Sequence, residues 1–242
     1  MNPPIYIPKG AAKEYGDYAL NIYTGCPHRC YYCFAPSVLH KDREAFHFHV
    51  EPREGIIEAV KKQLETGKIT DKLIHICFTC DPYPKGYDST ATREIIELLK
   101  AAGNHVQILT KNGFDAIRDF DLLDSNDWFG VTYAGYPDMF IDYGGEPNAG
   151  SPNLRLYALA VAHGRGIKTW ISMEPVLVAS DVLNLLELAP SYIDRYKIGK
   201  LNYHPSDINW AEFGRKVERV CKANHLDYYI KDSLRKAMED TP

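Results

Sequence analysis

Cys26-Pro27-His28-Arg29-Cys30-Tyr31-Tyr32-Cys33 is the stretch from which the rest of the chain is read. Its C-x3-C-x2-C spacing brings three soft thiolates within reach of one small inorganic core, all inside one short loop. Of the six cysteines, three fall in these eight residues, Cys77 and Cys80 flank Phe78-Thr79, and Cys221 stands alone. That clustering reads as metal chemistry plus free thiols, not as a disulfide framework. A compartment that keeps thiols reduced is expected, and the N-terminus, Met1-Asn2-Pro3-Pro4, has neither the basic nor the apolar region of a secretory signal. A cytoplasmic protein follows from this reading. No run of 18 apolar residues is present, so no membrane partner is expected.

Outward from the cysteines the chain alternates strand and helix. Tyr18–Tyr23 reads as a strand that runs into the cysteine loop. Arg53–Glu65 has helical spacing (Ile56, Ile57, Val60, Leu64) and stops at Gly67. Leu73–Thr79 is the next strand, halted by Asp81-Pro82-Tyr83-Pro84, with Thr92–Ala102 a helix and His105–Thr110 a strand. Phe114–Leu123 looks helical and Trp128–Tyr133 extended. Gly135 to Pro152 is too long for a simple connection and reads as a functional loop. Leu154–His163, Val182–Leu188 and Trp210–Ala223 follow as helices, interleaved with strands Lys168–Met173, Tyr196–Leu201 and Leu226–Ile230, before a short terminal helix.

This rhythm predicts one α/β domain over residues 1–242 with mostly parallel strands and helical crossovers. A barrel, open or closed, fits better than a doubly wound sheet, because no G-x-G-x-x-G follows the first strand. In a barrel the chemistry lies at the C-terminal strand ends. Those ends carry Cys26–Cys33, Cys80-Asp81, Thr110-Lys111, Thr132-Tyr133, Glu174 and Lys200-Asn202.

Three cysteines on a [4Fe–4S] cluster leave one iron without a protein ligand, the open position a catalytic cluster needs. S-adenosylmethionine (SAM) can chelate that iron through its amino and carboxylate groups, and radical chemistry from this pair is well within what such cofactors supply. The competing reading is a zinc site completed by His28 or His40. Its second arm would be Cys77 and Cys80, which an odd offset in a strand would point to opposite faces.

The motif, with Tyr32 before the third cysteine and Phe34 after it, resembles the radical SAM superfamily signature. The chain further resembles the branch of spore photoproduct lyase and DNA repair photolyase-like proteins, over Asn21–Pro36, Thr79–Tyr83, Ile108–Lys111, Glu146–Leu156, Ser172–Val176 and Lys197–Tyr203. The resemblance implies a partial (β/α)6-type radical SAM barrel, with Cys26, Cys30 and Cys33 as cluster ligands. It also implies Asp81 at the SAM amino group, Lys111 at the SAM carboxylate, and a Glu-Pro…Arg pattern in Glu146-Pro147 and Arg155. Arg155 is expected to fork onto a carboxylate, of Glu146 or of SAM.

Thr132 completes the expected cofactor-binding set. Glu174, a strand-end carboxylate, is expected both there and in catalysis, paired with Arg155, Lys111, Lys197 or Lys200. Cys80 is the candidate hydrogen-atom donor, against a bland reading as a small core hydrophobe. Tyr31, Tyr32 and Tyr83 are candidates to relay electrons or hydrogen, against simple ring packing. His47-Phe48-His49 lacks a third ligand and is set aside as a metal site. The helix with Arg215, Lys216, Arg219 and Lys222 either touches phosphates or forms a solvated face.

The expected function is a radical SAM enzyme acting on a nucleobase lesion. The alternatives are a small-molecule or peptide substrate, or a non-catalytic zinc or Fe–S protein. Net charge of −4 does not favour nucleic acid as a whole-molecule field. A flavodoxin or ferredoxin is the expected reductant.

Overall fold

Short apolar runs rich in Ile and Val, each closed by a turn, become the strands of one sheet. The computed structural model describes residues 3–135 and 145–239. The strands are β1 (Tyr18–Leu20), β2 (Leu73–Ile76), β3 (His105–Thr110), β4 (Trp128–Thr132), β5 (Lys168–Met173), β6 (Arg195–Ile198) and β7 (Tyr228–Ile230). Every pairing is parallel, and the strands lie side by side in chain order from β1 to β7. Helices α1 (Ala35–Val38), α2 (Arg43–Phe48), α3 (Ile56–Glu65) and α4 (Thr90–Ala101) fall in the first half. They are followed by α5 (Gly113–Ala116), α6 (Pro152–Gly164), α7 (Ala179–Leu188), α8 (Trp210–Ala223) and α9 (Asp232–Glu239).

Strand order equal to chain order has one consequence. With right-handed crossovers, every connecting helix falls on the same face of the sheet, so the sheet curls into an open barrel. A doubly wound sheet would reverse its order partway, and this one does not. Seven strands take part, matching the seven read from the sequence, and β1 does not pair with β7 among the described residues. The helix expected over Phe114–Leu123 is instead α5 followed by a 3-10 turn at Ile117–Leu122.

The strands use their two faces differently. Ile74, Ile76, Val106, Ile108, Phe129, Val131, Ile171 and Ile198 face the helices and form the main core with Ile95, Leu99, Leu159 and Val217. The opposite face, lining the barrel, carries His75, Gln107, Trp170 and Lys197. Trp170 is almost fully buried, and its indole crosses β4 to donate to the Ile108 carbonyl at 3.0 Å. It passes over Gly130, where a Cβ would come within 2.2 Å of the indole nitrogen. Gly130→Ala is therefore expected to cost about 1–3 kcal/mol of stability by overpacking. A urea melt that leaves the midpoint unmoved would refute this account of Gly130.

A segment missed by periodicity fills the open seam. A 3-10 turn, Gly10–Glu14, delivers Tyr15 into the barrel, where its ring packs on His75, Phe78 and Trp170 at centroid distances of 5.4, 5.5 and 5.9 Å. Gln107 donates to the Tyr15 carbonyl at 2.8 Å, and Lys197 donates to the Glu14 carbonyl at 2.7 Å. The Glu14 carboxylate reaches β7 and α9, accepting from the Tyr229 hydroxyl at 3.1 Å and the Asp232 amide at 2.8 Å. No helix among the described residues is long and apolar enough to cross a membrane.

Candidate active site

The cysteine loop leaves β1 at the C-terminal mouth of the barrel and is held by backbone contacts on two sides. On one side lies α2, capped by Asp42, which accepts from the Ala45 amide at 2.9 Å. Gly25 lets the loop approach it, since a Cβ there would fall 2.1 Å from the Phe46 carbonyl oxygen. The Cys26 amide donates to that same carbonyl at 3.2 Å. Arg43 donates to the carbonyls of Cys33 (3.2 Å), Cys30 (2.5 Å) and Tyr31 (2.8 Å). His47 Nδ1 donates to the Cys26 carbonyl at 2.7 Å.

On the other side lies the segment 145–150. Tyr31 N donates to the Gly145 carbonyl at 2.9 Å, and Asn148 donates to the His28 and Pro27 carbonyls at 3.2 and 3.1 Å. Of the long Gly135 to Pro152 stretch read as functional, this part meets the cysteine loop, while 136–144 lies outside the described residues.

All six cysteines are free thiols. Burial pushes the Cys26 thiol well above its ordinary value, pushes Cys30 up to about 12, and raises Cys33. Metal binding must displace those protons. A single tetrahedral zinc would hold its sulfurs about 4 Å apart. Among the described residues, the only His/Cys/Asp/Glu trio gathered within 4.8 Å is His105, Asp124 and Asp127. Lys100 already bridges those two aspartates, at 2.7 and 2.6 Å. The three cysteine sulfurs do not all lie within 4.8 Å of one another and so form no preset single-ion site, while three soft thiolates on one loop suit an Fe–S core.

Behind the loop lies a buried charged cluster. Arg155 donates to Glu146 at 2.5 Å, to the Thr132 carbonyl at 2.9 Å and to the Gly150 carbonyl at 2.8 Å. The Tyr32 hydroxyl donates to the second Glu146 oxygen. Arg155 thus meets Glu146, one of its two expected partners, through a single nitrogen, and its other two nitrogens go to backbone carbonyls. Burial works to raise the Glu146 pKa, but Arg155 and Lys111 outweigh it and hold the carboxyl below its usual range. Burial and then the neighbouring Cys30 and Glu146 push the Tyr32 phenol well up. Lys111 stands with its ammonium 5.7 Å above the Tyr32 ring. Burial opposes its charge, while Cys30 and Glu146 raise its pKa. Thr132 enters through its carbonyl.

Asp81 is more enclosed than its expected ligand role implies. Its oxygens accept from Thr110 Oγ1 (2.6 Å), the Lys111 amide (2.8 Å) and the Tyr83 amide (2.9 Å), and His28 Nδ1 lies 3.5 Å away. It joins the cysteine loop to the end of β3. Glu174 is not brought to Arg155, Lys111, Lys197 or Lys200. Its oxygens accept from Lys231, from Tyr15 at 3.1 Å and from Asn202 at 3.1 Å. Lys197 instead lies over the Tyr15 and Trp170 rings, and burial lowers its pKa to about 8.

The strand expected over Leu73–Thr79 ends at Ile76, and Cys77 has a positive φ of 69°. Cys77 and Cys80 are therefore not on opposite faces of a strand: both lie in the turn beyond β2, where burial and then the neighbouring Cys80 push the Cys77 thiol well up. Cys80 also accepts from the Tyr23 amide at 3.4 Å and packs against the main core. Tyr31 is half-exposed beside His204 and Tyr32, and Tyr83 is buried in the core. On α8, Lys216 and Lys222 pair with Glu212 and Glu218 one turn away, at 2.7 and 2.9 Å.

Arg43, His47, Tyr15 and Lys231 were not singled out by sequence patterns as parts of the site. Arg43 and His47 share a helical i, i+4 spacing that could have linked them, but only with the loop contact known.

Residues 20–177 match the family model described as the radical SAM superfamily. Uncharacterized protein ORF301 of Acidianus two-tailed virus is 29% identical over 216 residues, covering 78% of this chain and 69% of its own. An uncharacterized protein of Mycobacterium tuberculosis (strain ATCC 25618 / H37Rv) is 27% identical over 182 residues, which is 71% of this chain and 52% of that protein. The chain thus spans about half the length of this mycobacterial relative. A solved spore photoproduct lyase complexed with dinucleoside spore photoproduct superimposes with a TM-score of 0.68 at 14% identity, covering 93% of this chain and 79% of that one. Streptococcus suis SuiB bound to S-adenosylmethionine gives 0.65 at 9% identity, covering 92% of this chain and 49% of that one. At such identities the likeness is one of fold.

Proposed function

Because the chain belongs to the radical SAM superfamily, we propose that it is an enzyme in which Cys26, Cys30 and Cys33 hold a [4Fe–4S] cluster. The observation that carries this reading is three free cysteines on one loop at the barrel mouth, fixed from both sides by the rest of the chain. Once bound, the cluster and SAM would supply radical chemistry for hydrogen abstraction from a substrate. The chain's own part is to bind and shield. Lys111 pairs with the SAM carboxylate, while Arg155 and Glu146 fix Tyr32 behind the loop. Asp81 sets the relative position of the loop and Lys111. Glu174, with Lys231 and Asn202, forms the far wall. The hydroxyl of Tyr15 turns the same carboxylate toward the barrel interior.

The substrate we propose is a nucleobase lesion, processed in a lyase-like reaction in the cytoplasm with a flavodoxin- or ferredoxin-type reductant. The similarity to spore photoproduct lyase supports this through the fold. A small-molecule substrate is the second reading, favoured by the net charge of −4 and by the paired lysines of α8. The engagement of Cys80 with Cys77 and Tyr23 makes it a structural thiol in our reading, so a hydrogen donor must be sought elsewhere.

Anaerobic reconstitution tests the chemistry. About four iron per chain and 5′-deoxyadenosine released from SAM on reduction are expected. A colourless protein holding one zinc would overturn the reading. UV-irradiated DNA containing spore photoproduct then tests the substrate: SAM cleavage without thymine recovery excludes a spore photoproduct lyase-like activity.

A further inference from the structure

One short helix touches the backbone of every residue proposed as a cluster ligand. Arg43 and His47 stand four positions apart on α2, hence on one face. His47 holds the Cys26 carbonyl, and Arg43 holds those of Cys30 and Cys33 together with Tyr31 between them. No carboxylate lies within salt-bridge distance of Arg43 among the described residues, although Arg29 on the loop itself is paired with Glu44 at 2.7 Å. A guanidinium given three carbonyls and no counter-ion keeps its full charge beside the loop. Its field reaches the sulfur of Cys33, where it opposes the upward effect of burial.

We propose that Arg43 is a positioning residue that holds the cysteine loop in its ligating shape and makes the cluster easier to reduce. The inference rests on the proposed cluster. A fixed positive charge near the iron favours the more negative, reduced state, and hydrogen bonds that order ligand backbones raise affinity for the metal. The fork geometry serves the second role and the charge serves the first, so two substitutions separate them. Arg43→Gln removes the charge and part of the fork. Arg43→Lys keeps the charge and loses the fork.

Wild type and both variants are reconstituted anaerobically. Iron is counted, apo-protein folding is checked by circular dichroism, and midpoint potentials are read by a dye-mediated titration followed by electron paramagnetic resonance. Arg43→Gln is expected to load iron about tenfold more weakly. At a fixed poise its reduced-to-oxidised ratio falls about tenfold, or about 59 mV for a one-electron couple. Arg43→Lys recovers the wild-type potential while loading as weakly as the glutamine variant. Equal potentials in all three proteins, each with a full complement of iron, would overturn the proposal and leave the cluster reading intact. If Arg43→Lys shifts as far as Arg43→Gln, charge is not the agent and the electrostatic role is lost. A wild type that takes up no iron at all overturns the cluster reading and this one with it.

Discussion

Cys30→Ala is expected to abolish iron uptake and SAM cleavage while leaving a folded chain. The thiol is buried, but deleting one sulfur from a loop held by other contacts costs about 1 kcal/mol, well inside ordinary stability. The loop keeps its shape without that sulfur, because Arg43, His47, Asn148 and the Gly145 carbonyl grip the backbone and not the side chains. What disappears is one of three soft donors, and two thiolates do not retain an oxygen-sensitive core. Cys221→Ala is the matched control. That thiol is fully buried on the inner face of α8, and its loss should leave iron content unchanged. Iron content and 5′-deoxyadenosine yield are the readouts. A Cys30→Ala protein with full iron would remove this residue from the ligand set.

The second large effect lies behind the loop. Arg155→Leu strips the guanidinium from a carboxylate that is itself buried, with exposures of 2% for Arg155 and 9% for Glu146. Removing one member of a buried pair leaves an uncompensated charge and costs about 3–5 kcal/mol. Three further bonds go with it, to the Thr132 and Gly150 carbonyls and, indirectly, from Tyr32 through Glu146. Because Gly150 and Glu146 belong to the segment that grips the cysteine loop, weakened iron loading should accompany the lost stability. Chemical denaturation measures the first effect. The double variant Arg155→Leu with Glu146→Leu is expected to regain part of the loss, since it removes the stranded charge. A single variant as stable as wild type would show that Glu146 is not ionised in the folded protein.

Much of this is legible in the sequence. Each strand was found within a few residues, because Leu73–Ile76, His105–Thr110 and Lys168–Met173 are apolar runs with firm stops. Parallel pairing followed from the alternation with helices. The cysteine loop announced itself through spacing, and Glu146 with Arg155 through the family pattern. The failures share a cause. Arg43 and His47 lie in a six-residue helix too short to show a period. Tyr15 follows a 3-10 turn that carries no hydrophobic repeat. Lys231 sits just beyond a three-residue strand, so nothing local hints that it neutralises Glu174. The Cys77–Cys80 pair was misplaced because a single positive φ at Cys77 ended a strand that propensity would have continued. Charge partners across a barrel depend on which strand ends meet, and that is a property of topology more than of spacing.

The seam across the open sheet has a kinetic side. Lys231 donates to the Tyr15 hydroxyl at 3.0 Å from 216 positions away in the sequence, and Glu14 meets Asp232 at a similar separation. Contacts of such range form only after a long loop has closed, and their share of the native set is what slows folding. On the ribosome β1 emerges long before β7, so Tyr15 is made well ahead of Lys231, the charged partner that meets its hydroxyl. The intervening strand–helix units can assemble on neighbouring contacts as they appear. Closing this seam thus requires the segment around Tyr15 to meet the segment around Lys231, which no contact between neighbouring strand–helix units can do for it.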